Sequence, residues 1–167
     1  TTFQSSSKEL WKEDMSLKPP RIVDEPRLTI VGIDRSYRFE EMAEIPGQWQ
    51  HFVPSMDAIV SKQSNDAYGI SHRMTESGIC YFCGIAVTSV EGQPNGLDVI
   101  ELPAQRYAAF EHPGHVSELC NTIDSIWKEW LPSSGHVPTQ PAVLFEKYGP
   151  GFCPDRGSGD IEVWMAL

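Results

Sequence analysis

The sequence predicts an α+β fold in which two tandem βαββ repeats form a curved antiparallel sheet with two main helices. Three observations carry this expectation. The order strand, helix, strand, strand occurs twice, near residues 27–90 and 103–167. The strand candidates alternate with a period of two, whereas the helix candidates repeat their apolar positions at helical spacing. And 167 residues with 40% hydrophobic content are enough for one core but too few for two independent ones. The expected organisation is a single domain over residues 21–167, preceded by a polar tail or short helix over residues 1–20 that ends at Lys18, Pro19 and Pro20.

The first strand is the segment RLTIVGIDRSYRF from Arg27, alternating and rich in β-formers. Ile45, Trp49, Phe52, Val53 and Met56 then recur at helical spacing, with Pro46 where a first-turn proline is tolerated and Pro54 where the helix should stop or kink. Two strands follow, Tyr68 to Met74 and Cys80 to Val87, joined through Glu76, Ser77 and Gly78. The second repeat opens with a strand from Arg106. It continues with a sustained helical stripe through Val116, Leu119, Cys120, Ile123, Ile126, Trp127, Trp130 and Leu131. The loop PSSGHVPTQP leads to strands Ala142 to Tyr148 and Asp160 to Leu167. Helices on one face of an antiparallel sheet would leave its other face free for a ligand.

Charge narrows the function. Thirteen Lys and Arg against 23 Asp and Glu give a formal charge of −10, a field that repels phosphate backbones and attracts cations, so direct nucleic-acid binding is not expected. No apolar run reaches the length of a membrane-spanning helix, and the start TTFQSSSKEL lacks the hydrophobic stretch of a secretion signal. The reading is a soluble, cytoplasmic protein with four reduced cysteines, at positions 80, 83, 120 and 153.

Glu146 is the residue that asks for an explanation, because it stands in the apolar run AVLFEKYGPGF. Strand alternation puts Leu144, Glu146 and Tyr148 on one face and Val143, Phe145 and Lys147 on the other. One reading is a solvated carboxylate on an exposed face. The other is the anionic floor of an aromatic pocket that a lipophilic cation would enter, with each cation–π contact adding about 0.5 to 2 kcal/mol. In the last strand Ile161, Val163 and Met165 suit the helices, so Trp164 is expected on the free face beside Glu146, with Tyr68 in reach.

Other motifs carry less. Cys80 and Cys83 have redox spacing, but in a strand they point to opposite faces, which suits core thiols rather than paired chemistry. His112 and His115 in HPGH have no further ligands nearby in sequence and read as a strand-to-helix turn. No nucleophile elbow or phosphate loop is present, and no cofactor or metal is expected.

The stretches PRIVDEPRLTIVGI, IPGQWQHF, YGI, LPAQRYAAFEHPG and FEKYGPGFCPDRGSGDIEVWMAL resemble the GyrI-like effector-binding domains. Such domains are attached to many AraC- and MerR-type transcription activators and also occur free-standing. The likeness covers roughly residues 20 to 167, and the closing motif is the most specific part. It implies a groove between the two repeats that binds amphipathic or cationic small molecules, with Glu146 as the charged contact. Tyr68 and Trp164 match aromatic wall positions, and Trp49, Phe82, Phe110 and Tyr148 are further candidates. With only a short tail before Pro19 and Pro20, the chain looks like a free-standing effector module, similar to drug-binding proteins of integron cassettes.

Three functions are therefore expected in order. The first is binding of hydrophobic cations without chemistry. The second, implied by relatives of these domains that resemble hydrolases of strained electrophilic rings, is such a hydrolysis, with Glu146 as general base and Tyr68 or Tyr148 as an acid or orienting group. The third is an acidic partner of a basic DNA-handling protein, as some free-standing relatives are thought to act on gyrase.

Overall fold

The computed structural model describes residues 17–167. The tail expected over residues 1–20 falls mostly outside that range. Eight strands make one sheet: β1 Arg21–Glu25, β2 Leu28–Arg38, β3 Lys62–Met74, β4 Gly78–Val87, β5 Asp98–Leu102, β6 Gln105–His112, β7 Leu144–Tyr148 and β8 Ile161–Ala166. Their spatial order is β1-β6-β8-β7-β3-β4-β2-β5, every neighbouring pair antiparallel.

Each repeat fills three adjacent places in that order, β6-β8-β7 and β3-β4-β2, and the two meet where β7 pairs with β3. The sequence reading omitted β1 and β5. Both are five residues long and sit at the two edges of the sheet, where short strands are common. They cap the repeats crosswise: β1 pairs with β6 of the second repeat, and β5 with β2 of the first.

Helix α1 spans Ile45–Phe52, with Pro46 in its first turn, and 3-10 turns flank it at Phe39–Glu44 and Val53–Ala58. Pro54 ends the α-helical geometry as expected, although the chain carries on in the tighter winding. The second helical segment comprises α2 Leu119–Ser125, a π-helical turn Ile126–Trp130 and α3 Leu131–Ser134. Pro132 explains the wide turn. It has no N–H for the carbonyl of Lys128 and its ring crowds that group, so the N–H of Leu131 reaches back to Ile126 instead.

Two apolar clusters lie beneath the helices. One gathers Phe52, Tyr81, Cys83 and Ile85 under α1, and the other gathers Phe110, Ile126, Leu144, Val163 and Met165 under the second segment. Trp49 and Ala67 touch both.

The helix-free face is not the open ligand surface the sequence suggested. Ile100 and Leu102 from one edge of the sheet join Val23 and Tyr107 from the other in a single cluster with Ile70, Phe82, Phe145 and Trp164. Only Pro26 and Arg27 separate β1 from β2, and only Pro103 and Ala104 separate β5 from β6, although each pair stands near opposite ends of the strand order, so the sheet curls upon itself and this cluster fills the resulting half-barrel.

Candidate functional site

One row of the sheet crosses the β3–β7 junction where the two lobes meet. On the helix side this row runs Ile33, Cys83, Gly69, Glu146, Val163 and Phe110, one residue from each of six adjacent strands. Glu146 and Gly69 occupy its centre. A side chain on residue 69 would overlap the Tyr81 hydroxyl and come within 3.3 Å of the Trp49 ring. Glycine thus leaves the space into which both groups fit above the carboxylate.

Helix α1 is positioned by Gln48, which is fully buried. Its Nε2 donates to the backbone carbonyls of Ile33 at 2.8 Å and Tyr81 at 3.0 Å, and its Oε1 accepts from the Tyr37 hydroxyl at 2.8 Å. A buried amide satisfied at both ends fixes the helix over the β2–β4 pair. The next residue, Trp49, then reaches across the seam. Its indole N–H donates to Tyr81 Oη at 3.0 Å, and that hydroxyl donates onward to Glu146 Oε1 at 3.3 Å. Trp49 also meets the ring of Tyr148 edge to face, with centroids 5.4 Å apart, and Tyr148 in turn meets Phe152 at 4.9 Å.

Glu146 is 9% exposed and has no basic partner within salt-bridge distance among the described residues. Loss of water around the carboxylate pushes its pKa up to about 7, while its own backbone N–H and the Tyr81 hydroxyl act in the opposite direction. The phenols of Tyr81 and Tyr148 are both held far above their ordinary value, mainly by burial and then by the neighbouring Glu146 charge. At neutral pH the site is therefore a carboxyl close to half ionisation, ringed by neutral aromatic groups.

Of the candidates named from sequence, Glu146, Trp49 and Tyr148 come together. Phe110 shares their side of the sheet but lies two strands away, under Trp130 at a centroid distance of 5.0 Å. Tyr68, Phe82 and Trp164 are on the opposite face. The expectation that Trp164 and Glu146 look the same way is overturned by register: Glu146 pairs with Val163, and Trp164 with Phe145. The alternation along β7 is as expected, but the set Leu144, Glu146 and Tyr148 is the helix-facing one. Both faces of this strand are apolar, so residue type could not tell them apart. A joint action of Tyr68 and Glu146 in catalysis fails for the same reason, since the sheet lies between them.

Tyr81, Gln48 and Gly69 went unnoticed in the sequence. A signal existed for the first, because a period of two places Tyr81 with Cys83 on one face of β4. The sequence reading of the two CYFC cysteines and of HPGH fits the geometry. Cys83 is buried under α1 and Cys80 is half-buried, 3.4 Å from the Ser36 hydroxyl. His112 bridges Thr122 and the carbonyl of His115, each at 2.7 Å, and so ties strand β6 to the following helix.

A curled antiparallel sheet whose two helix-covered lobes join over one buried carboxylate is the architecture of an effector-binding domain. Residues 21–167 match the family Cass2, integron-associated effector binding protein, and the chain belongs to that family. It is 29% identical over 134 residues to the transcriptional regulator BrlR of Pseudomonas aeruginosa, covering 79% of this chain and 48% of that protein. The chain spans about half the length of the curated relatives it matches.

Among solved structures it is similar to SAV2435 bound to tetraphenylphosphonium, with a TM-score of 0.71 at 18% identity, covering 89% of this chain and 93% of the other. An integron cassette protein from the mobile metagenome of Vibrio cholerae superposes with a TM-score of 0.61 at 14% identity, covering 90% and 95%. At these identities the shared property is the fold. Among the described residues no helix is long and apolar enough to cross a membrane.

Proposed function

We propose that this domain binds hydrophobic, positively charged small molecules at the seam between its repeats, with Glu146 as the anionic contact. The observation that carries the reading is a carboxylate enclosed by Trp49, Tyr81 and Tyr148 and left without a basic partner among the described residues. An ionised carboxylate in such surroundings is costly, so burial holds Glu146 near half protonation at neutral pH. An oily cation supplies the missing charge and offers its apolar surface to the rings. Burial of that surface contributes about 25 cal/mol per Å² to affinity, and Glu146 selects the sign of the charge.

Trp49 is the group a ligand has to displace to reach the carboxylate. It is half-buried, and the short helix that carries it buries only Gln48 and Phe52. Family membership and the tetraphenylphosphonium held by the similar protein SAV2435 support the same ligand class.

The test is a tryptophan fluorescence titration of wild type and Glu146→Gln with tetraphenylphosphonium and with neutral triphenylphosphine oxide. The variant is expected to weaken the cation roughly tenfold or more and leave the neutral compound nearly unchanged. Equal losses for both ligands would remove the electrostatic role of Glu146.

A further inference from the structure

On the face of the sheet opposite Glu146, a cavity of about 130 Å³ opens at one rim of the half-barrel. Its floor is aromatic. Phe145 and Trp164 stack with centroids 5.4 Å apart and planes 19° from parallel, and Tyr68 meets Phe145 edge to face at 5.5 Å. Its wall carries Glu25, Asp66 and Lys147, so two carboxylates face one ammonium group. Lys147 follows Glu146 in β7, and alternation sends it to this face.

The position of that ammonium is informative. Lys147 Nζ lies 5.1 Å from the centre of the Trp164 ring and 3.7 Å from Asp66 Oδ2. Its side chain and that of Asp66 are only 26% and 18% exposed. An aromatic face on one side and a carboxylate on the other is the environment that retains an organic cation. Glu25, by contrast, makes no salt bridge among the described residues. The lining keeps a net negative charge after Lys147 has been counted.

We propose that this cavity is a second binding site, separate from Glu146, for a compact organic cation such as a small alkylammonium ion, with Lys147 as a tethered occupant that competes for it. Size sets the class. A closed cavity of about 150 Å³ accommodates one benzene ring, so about 130 Å³ admits a group no larger than that, with any extension pointing out of the rim. The incoming ammonium pairs with Glu25 and shares or takes over the face of Trp164. Tyr68, whose phenol is held neutral mainly by burial and then by Asp66 and Glu25, supplies the apolar end wall.

The experiment is a titration of the full chain with tetramethylammonium chloride, followed through the assigned indole N–H resonances, with tert-butanol as the neutral control of similar size. The expected result is a saturable shift of Trp164 that tert-butanol does not produce. Lys147→Met is expected to tighten binding about two- to fivefold, the effect of removing one cation–π competitor. Glu25→Gln is expected to weaken it by a similar factor. Glu146→Gln is expected to leave it unchanged, which separates this site from the one at the seam. Three results would each overturn the proposal: no saturable movement of Trp164, an equal response to tert-butanol, or weaker binding in Lys147→Met. A Trp164 shift with acetate in place of the cation would do so too, since it would make Lys147 an anion receptor.

Discussion

Replacing Glu146 with glutamine is expected to change how the stability of the protein depends on pH, and the size of the effect follows from burial. The folded-state pKa of about 7 lies above the ordinary value of 4.5. A carboxyl raised in this way binds more protons in the folded than in the unfolded state between those two values. Its stabilising contribution is complete below pH 4.5 and is lost as pH rises through 7. Over pH 5 to 8 the loss amounts to about 2 to 3 kcal/mol, from 1.36 kcal/mol for each unit of difference between the two states. Glutamine does not titrate, so the gap between variant and wild type is expected to move in the variant's favour by that amount across the window. Urea unfolding of both proteins at half-unit steps from pH 5 to 8 measures it. A gap that stays constant within about 0.5 kcal/mol would refute the claim that this carboxyl is desolvated when folded. The same titration governs ligand affinity: a cation that prefers the ionised form is expected to bind about tenfold more weakly for each pH unit below 7, and to level off above it.

Further outcomes follow from the groups around the acid. Tyr81→Phe removes a hydroxyl that donates to Glu146, so the midpoint of that pH dependence is expected to move upward, with only a small change in stability at pH 5; an unchanged midpoint would place the hydroxyl outside the relay. Gly69→Ala puts a methyl group where the Tyr81 hydroxyl sits and crowds Trp49, and is expected to cost about 1 to 3 kcal/mol and shift the Trp49 indole resonance. Gln48→Leu strips partners from two backbone carbonyls and the Tyr37 hydroxyl, for an expected loss of about 2 to 4 kcal/mol in denaturant unfolding. If the seam only binds, mass spectrometry after incubation with an electrophilic cyclopropane returns the compound intact, whereas turnover that vanishes in Glu146→Gln would establish catalysis.

The sequence made the two repeats legible because their strands and helices have distinct periods, and the stripe from Val116 to Leu131 marked the second helical segment without ambiguity. Glu146 stood out for its chemistry, an acid in an apolar run. What periodicity could not convey was direction. In β7 both alternating sets are apolar, so the strand gave no sign of which set meets the helices, and Trp164 and Tyr68 were assigned to the wrong company. The relay was hidden for a different reason. Gln48 and Tyr81 matter through bonds to residues 11 to 65 positions away, and Gly69 matters through the side chain it lacks. Such long-range polar pairing leaves no periodic trace.

Gly69 and Glu146 stand at matching places, each in the middle strand-forming segment of its own repeat and directly across from the other. A dimer of two identical half-length chains would have to set acid against acid or hydrogen against hydrogen at that junction. Joined in one polypeptide, the halves are free to diverge, so that one contributes the charge and the other the room beside it. Lopsidedness at the join is what lets an otherwise twofold scaffold hold a single unpaired acid.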